Sequence, residues 1–132
     1  MRAMTNQQVN LRRYAAIAIP ILGTNARPAI PLLITSLKDS DGMLRFYSIR
    51  ALSKLQLEPE IVVPALAASL SDPQAFVREF AADGLEAFGT NARIALPAIS
   101  NALSDTDFNV RSRATNALRA VAPEALTNAP SR

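Results

Sequence analysis

A hydrophobic residue followed by arginine recurs at a fixed interval: Leu11-Arg12, Leu44-Arg45, Val77-Arg78 and Val110-Arg111, each pair 33 residues from the next. A repeat of this length constrains the fold more than any other feature, because one such unit cannot bury its hydrophobic face alone. Units must stack, and the core becomes a strip shared between neighbours. The fullest copy is SDPQAFVREFAADGLEAFGTNARIALPAISNAL, residues 71–103. The chain divides into a single array, 1–132, with a partial unit 1–37 and units 38–70, 71–103 and 104–132. Met4 falls in the column of Leu37, Leu70 and Leu103, and Asn6 in that of Asp39, Asp72 and Asp105, so the chain enters late in a unit. At the far end, Asn128-Ala129-Pro130 stands where Val62-Val63-Pro64 and Ala95-Leu96-Pro97 begin an outer helix. Neither end carries a polar cap. The expectation is a segment of a longer array, or an array whose ends are covered, including by end-to-end self-association.

Within a unit, Val77, Ala81, Gly84, Leu85 and Phe88 have the spacing of one helix face. Gly89, with Gly23 in the same column and Gln56 and Ala122 elsewhere, suits the left-handed position after a helix. Thr90 or Asn91 is expected to cap the following helix, in which Leu96, Ile99 and Leu103 share a face. Asp72-Pro73 is expected to supply a cap and first-turn proline to the next inner helix. Each unit is thus a helical hairpin. Composition agrees: 49% hydrophobic but 5% aromatic, with no Trp, suits helices packed through Ala, Leu, Ile and Val in a soluble chain, cytoplasmic by default.

Other repeat families of similar period fit less well. Ankyrin units open on a T-P-L-H turn and this chain has no His; tetratricopeptide units need a Trp or Leu, Gly and Tyr pattern that these columns lack. The consensus A-x-P-A-(L/I)-x-x-(A/S)-L-(S/K)-D-x-x-x-x-V-R-x-x-A-A-x-(A/G)-L resembles HEAT repeats, particularly the bacterial kind also found in phycobilisome bilin lyases, over Leu11 to Leu126. The resemblance implies an all-α fold, an α-α superhelix of about four stacked hairpins. It also implies a structural ladder from the pairs Asp39 and Arg45, Asp72 and Arg78, Asp105 and Arg111, in which Asp holds the turn and Arg bridges to a neighbouring unit.

On a wheel of about 100° per residue, the face opposite the core lines the concave side of the array. Unit by unit it carries Arg13, Ile17 and Pro20; Phe46, Arg50 and Ser53 with Lys54; Glu79, Asp83 and Glu86; then Ser112, Asn116 and Arg119. Its charge runs basic, basic, acidic, basic. Tyr14, Tyr47 and Phe80 form a flanking column with Arg113 as fourth member, suited to packing between units or to stacking on bases. In the first unit Ile17, Pro20 and Ile21 stand where later units are polar, and Pro20 is expected to bend the helix. The partner-binding candidates are Arg13, Tyr14, Ile17, Phe46, Arg50, Lys54, Glu79, Asp83, Glu86, Asn116 and Arg119.

The expected function is a non-catalytic protein-protein interaction scaffold that uses the concave face for a protein partner of unknown identity, with no cofactor. A bilin-lyase-like or other enzyme is the alternative. Without Cys or His, thiolate nucleophiles, imidazole bases and nearly all zinc sites are unavailable, and Asp83 with Glu86 is the only candidate pair for catalysis. Nucleic-acid binding, as in HEAT-like DNA glycosylases, ranks third: 14 basic against 11 acidic residues is a small excess, and the acidic third unit interrupts any basic track. Arg12-Arg13 before an apolar run has the outline of a signal peptide, but the run keeps the repeat register. No stretch is judged to approach the roughly 18 apolar residues of a membrane span. The face assignment carries a stability contrast: Leu85→Ala should cost about 2 to 5 kcal/mol and Asp83→Ala under about 1, so equal losses on thermal melting would show the faces misassigned.

Overall fold

The computed structural model describes residues 2–127 of the chain, and the side chains of residues 7–125. The columns holding Met4 and Asn6 therefore fall outside the described side chains, and Asn128-Ala129-Pro130 outside the described residues. Helix α1 (Arg2–Ala18) leads through a 3-10 stretch (Ile19–Ala29) into α2 (Ile30–Ser36). Next come α3 (Gly42–Leu55) and α4 (Pro59–Ser69), then α5 (Ala75–Phe88), a second 3-10 stretch (Gly89–Ala95) and α6 (Leu96–Ala102). The chain closes with α7 (Phe108–Val121) and α8 (Pro123–Thr127), and no strand occurs among the described residues.

Helices α1, α3, α5 and α7 form one row, each packed along the next, while α2, α4 and α6 form a second row whose neighbours touch only sparsely. The α1–α3–α5–α7 row is therefore the more closely packed of the two. The core is the strip between rows. Val77, Ala81, Gly84, Leu85 and Phe88 are buried on α5, which packs on α4 with its fully buried Leu66, while Ile99 of α6, fully buried too, lies in the helix that packs on α7. Each such aliphatic side chain contributes about 1.5 to 3 kcal/mol by leaving water. Gly84 lets α5 lie close to α3, since a Cβ there would stand 2.5 Å from Ser53 Oγ.

The turn after each inner helix comes in two forms. Gly23 (φ 57°, ψ −134°) and Gly89 (φ 56°, ψ −136°) occupy backbone space open essentially to glycine, each within the sequence GTNAR-x-A-x-P. Gln56 instead takes the left-handed helical conformation (φ 50°, ψ 38°), followed by Glu58 at φ 50° and Pro59 at the first position of α4. Ala122 is extended-like at φ −137°. The GTNAR turns stand 66 residues apart, so the 33-residue repeat is overlaid by a two-unit period.

Several local expectations are corrected. Thr90 and Asn91 do not cap a helix: they lie inside the 3-10 stretch, and α6 starts after Ala95 with no side-chain cap. Asp72-Pro73 does not start α5 either, which begins at Ala75 after Gln74; the capping carboxylates are Asp41 on α3 and Asp107 on α7. Pro20 does not bend α1, because the α-helix ends at Ala18 and Pro20 sits at the start of the 3-10 stretch, where its missing N–H is tolerated. The Val62-Val63-Pro64 segment does not begin an outer helix, since α4 already runs from Pro59 with Pro64 inside it. Finally, residues 7–36 are long and apolar enough by length and composition to cross a membrane, contrary to the estimate above. Folded, they double back at Gly23 and bury Ala16, Ala26, Ile30 and Leu33.

One buried polar atom stands out. Ser48 is fully buried and its Oγ has no hydrogen-bond partner among the described residues, whereas Ala81 and Ala114 fill the same column in the next two units. A buried hydroxyl without a partner costs about 1 kcal/mol or more. Ser48→Ala should raise the urea unfolding free energy by about 1 kcal/mol, and a loss of stability would mean that the hydroxyl is satisfied.

Candidate functional site

The inner helices are joined by a ladder of shared aspartates. Arg45 Nε and Nη2 donate to the Asp72 carboxylate at 2.7 and 3.1 Å, and Arg78 Nε and Nη2 to Asp105 at 2.9 and 3.0 Å. Each arginine also donates through Nη1 to a main-chain carbonyl of its own unit's turn: Arg45 to Asp39, Arg78 to Asp72, Arg111 to Asp105, at 2.8 to 2.9 Å. The carboxylates in turn accept from main-chain N–H groups two residues on: Asp41 to Asp39, Gln74 to Asp72 and Asp107 to Asp105. Arg12 reaches Asp39 at 3.5 Å, and beside it Arg13 makes a bidentate pair with Asp41 at 2.6 and 2.7 Å. The inner links are the more buried: side-chain exposure is 11% and 6% at Arg45–Asp72, against 46% and 24% at Arg12–Asp39. Bidentate geometry with little exposure makes them worth more than ordinary surface pairs.

The eleven residues named for partner contact are not equivalent. Arg13 is committed to Asp41. Tyr14 is 65% exposed on the flank of α1, next to Leu11, whose column is buried at Leu44, Val77 and Val110. Phe46 packs edge-on against Phe80 at 4.8 Å between ring centres and against Phe76 at 5.9 Å, joining α3 to α5. Its ring also carries the Arg50 guanidinium at 5.8 Å. Arg50 and Lys54 are exposed and make no ion pair among the described residues. At the C-terminal end of the row, Arg119 donates to Asn116 at 3.3 Å.

The acidic third unit is partly neutralised. Arg113 of α7 donates to both Asp83 oxygens at 3.0 Å and lies 3.4 Å from Glu79, leaving Glu86 half-buried and outside any ion pair among the described residues. The columns place Arg113 with the aromatic residues Tyr14, Tyr47 and Phe80, and do not reveal this contact. The signal lay 34 residues apart along the chain: Phe46 meets Phe80, and Glu79 meets Arg113, in consecutive units. A second missed set pins the outer side, where Arg27 pairs with Glu58 at 3.3 Å and Arg93 with Glu124 at 2.6 Å. Those pairs follow the two-unit period, the GTNAR arginine meeting a glutamate of the next unit.

Between the inner helices run two clefts. One, of about 60 Å³, separates α1 from α3 and is lined by Ala16, Ile17, Pro20, Tyr47, Arg50, Ala51 and Lys54. The other, of about 230 Å³, lies between α3 and α5 and is lined by Arg50, Ser53, Lys54, Phe80 and Asp83. Arg50 and Lys54 border both.

A family model described as HEAT repeats matches residues 2–86 of the chain. No curated protein matches it.

The ladder has a pH signature. Hydrogen bonds from Arg78 hold the Asp105 carboxyl below its ordinary value of 3.8, against the opposing effect of burial, and the Asp107 N–H adds to the lowering. Arg13 does the same for Asp41, helped by the Leu44 N–H. Because the folded values are the lower ones, the unfolded chain takes up protons first. The stabilisation is therefore complete above the ordinary value and is lost as pH falls through the depressed one. Urea midpoints should fall on acidification below about pH 4, and Asp105→Asn, less stable at pH 7, should lose less on the same descent; an undiminished acid loss would exclude Asp105 as a contributor.

Proposed function

The chain belongs to the HEAT-repeat family, and on that premise we propose that it is a non-catalytic scaffold that binds a protein partner along its inner helix row. The supporting observation is the pair of clefts meeting at Arg50 and Lys54, two cations without intramolecular counter-ions among the described residues, on the side where the helices crowd together. Fixed charges on a preformed groove give orientation and register to an incoming surface.

Within the family, the repeat columns favour the bacterial, phycobilisome-lyase-like type. An activity of that kind has little to draw on in this groove, since Asp83 of the Asp83–Glu86 pair is engaged by Arg113. A phosphate track is also poorly supported: Arg13, Arg45, Arg78 and Arg113 are all held by carboxylates. Self-association, if copies meet, would use the exposed Leu11 and Tyr14 flank of α1.

A photo-crosslinking residue placed at Arg50 should capture a discrete protein from native lysate, while the same residue at Ile94, 74% exposed on the outer side, should not. Equal capture at both positions, or tight duplex DNA binding with a steep salt dependence, would overturn the reading.

A further inference from the structure

The α1–α3 cleft has a chemistry specific enough to name what enters it. Its walls are apolar: Ile17 and Pro20 from the first unit, Tyr47 and Ala51 from α3. At about 60 Å³ it has room for roughly four or five water-sized groups, the size of one branched aliphatic side chain. Arg50 and Lys54 stand at its rim one helical turn apart, and Arg50 is steadied over the Phe46 ring at 5.8 Å.

The carboxylate that lines the neighbouring cleft with them is Asp83, which Arg113 holds at 3.0 Å. The ion pair between α5 and α7 therefore engages the acid that, among the described residues lining the two clefts, could have quenched the α3 cations. Glu86 stays outside the residues lining either cleft. An apolar socket beside two unquenched cations fits an aliphatic side chain followed by carboxylates. It fits a polyphosphate backbone less well, because such a ligand has no apolar group to fill the socket.

We propose that the partner engages this groove through an extended acidic segment, seating one aliphatic residue between α1 and α3 and its neighbouring carboxylates on Arg50 and Lys54. This rests on the scaffold reading above and specifies its ligand. The first unit, apolar where the later ones are polar, supplies the socket, and the second supplies the charge.

Fluorescence anisotropy with a labelled twelve-residue peptide, one leucine followed by glutamates in a Gly-Ser context, tests it on the full chain. Binding should be present at low salt. It should weaken about ten-fold in the Arg50→Gln, Lys54→Gln double variant, and comparably in Ile17→Asp, which puts a like charge into the socket. Both altered sites are solvent-facing, so circular dichroism and melting temperature should stay at wild-type values. A peptide with alanine for leucine should bind less well, and one with lysines for glutamates not at all. Equal binding of the leucine and alanine peptides, unchanged binding by the double variant, or a preference of the same cations for duplex DNA or anionic vesicles would each overturn the proposal. Crosslinking at position 50 that still captures a protein would then leave the scaffold reading standing and remove only its acidic ligand.

Discussion

The bidentate bond from each inner-helix arginine to an aspartate of the next unit is the interaction on which the stack depends. Hydrophobic burial between hairpins is non-directional and would tolerate sliding of one unit on another. The Arg45–Asp72 and Arg78–Asp105 pairs do not tolerate it, because two parallel N–H···O bonds fix both distance and angle. The same aspartate accepts from the main chain of its own turn, and the arginine donates back to the main chain of its own. Turn geometry and inter-unit register are thus one network, and removing either partner would leave a charged group stranded at low exposure.

Around this ladder the chain varies its cross-unit contacts. Between the second and third units the joint is aromatic, Phe46 on Phe80; between the third and fourth it is ionic, Glu79 and Asp83 on Arg113. The exchange has a consequence for the inner face. Aromatic rings leave Arg50 and Lys54 uncompensated, whereas the ionic joint absorbs Glu79 and Asp83 of the third unit. The charge pattern offered to a partner is therefore not that of the sequence columns but what remains after neighbouring units have paired.

Much of the fold was legible in the columns. Burial of Val77, Ala81, Leu85 and Phe88 follows from helical periodicity, and the positive φ of Gly23 and Gly89 from their place after an inner helix. Capping was misjudged at Asp72 and at Thr90 for a shared reason: the side chains that favour caps also stabilise turns. Here Asp72 accepts from the Gln74 N–H two residues before α5 begins, and Thr90 enters a 3-10 stretch. The columns place Arg13 among the partner contacts and Arg113 beside the aromatic residues, whereas each is held by a carboxylate 28 or 30 residues away that no single repeat contains.

The sequence by itself determined the repeat, the helical hairpin, the core face and membership of the array's residues in columns, because periodicity records which side chains must leave water together. Only the tertiary structure decided which charges remain available. Whether Asp83 is a free acid or one arm of an ion pair depends on how far α7 sits from α5, and Arg113 settles it at 3.0 Å. The ladder likewise acquires its strength from burial between units, a property of stacked helices that no single column contains.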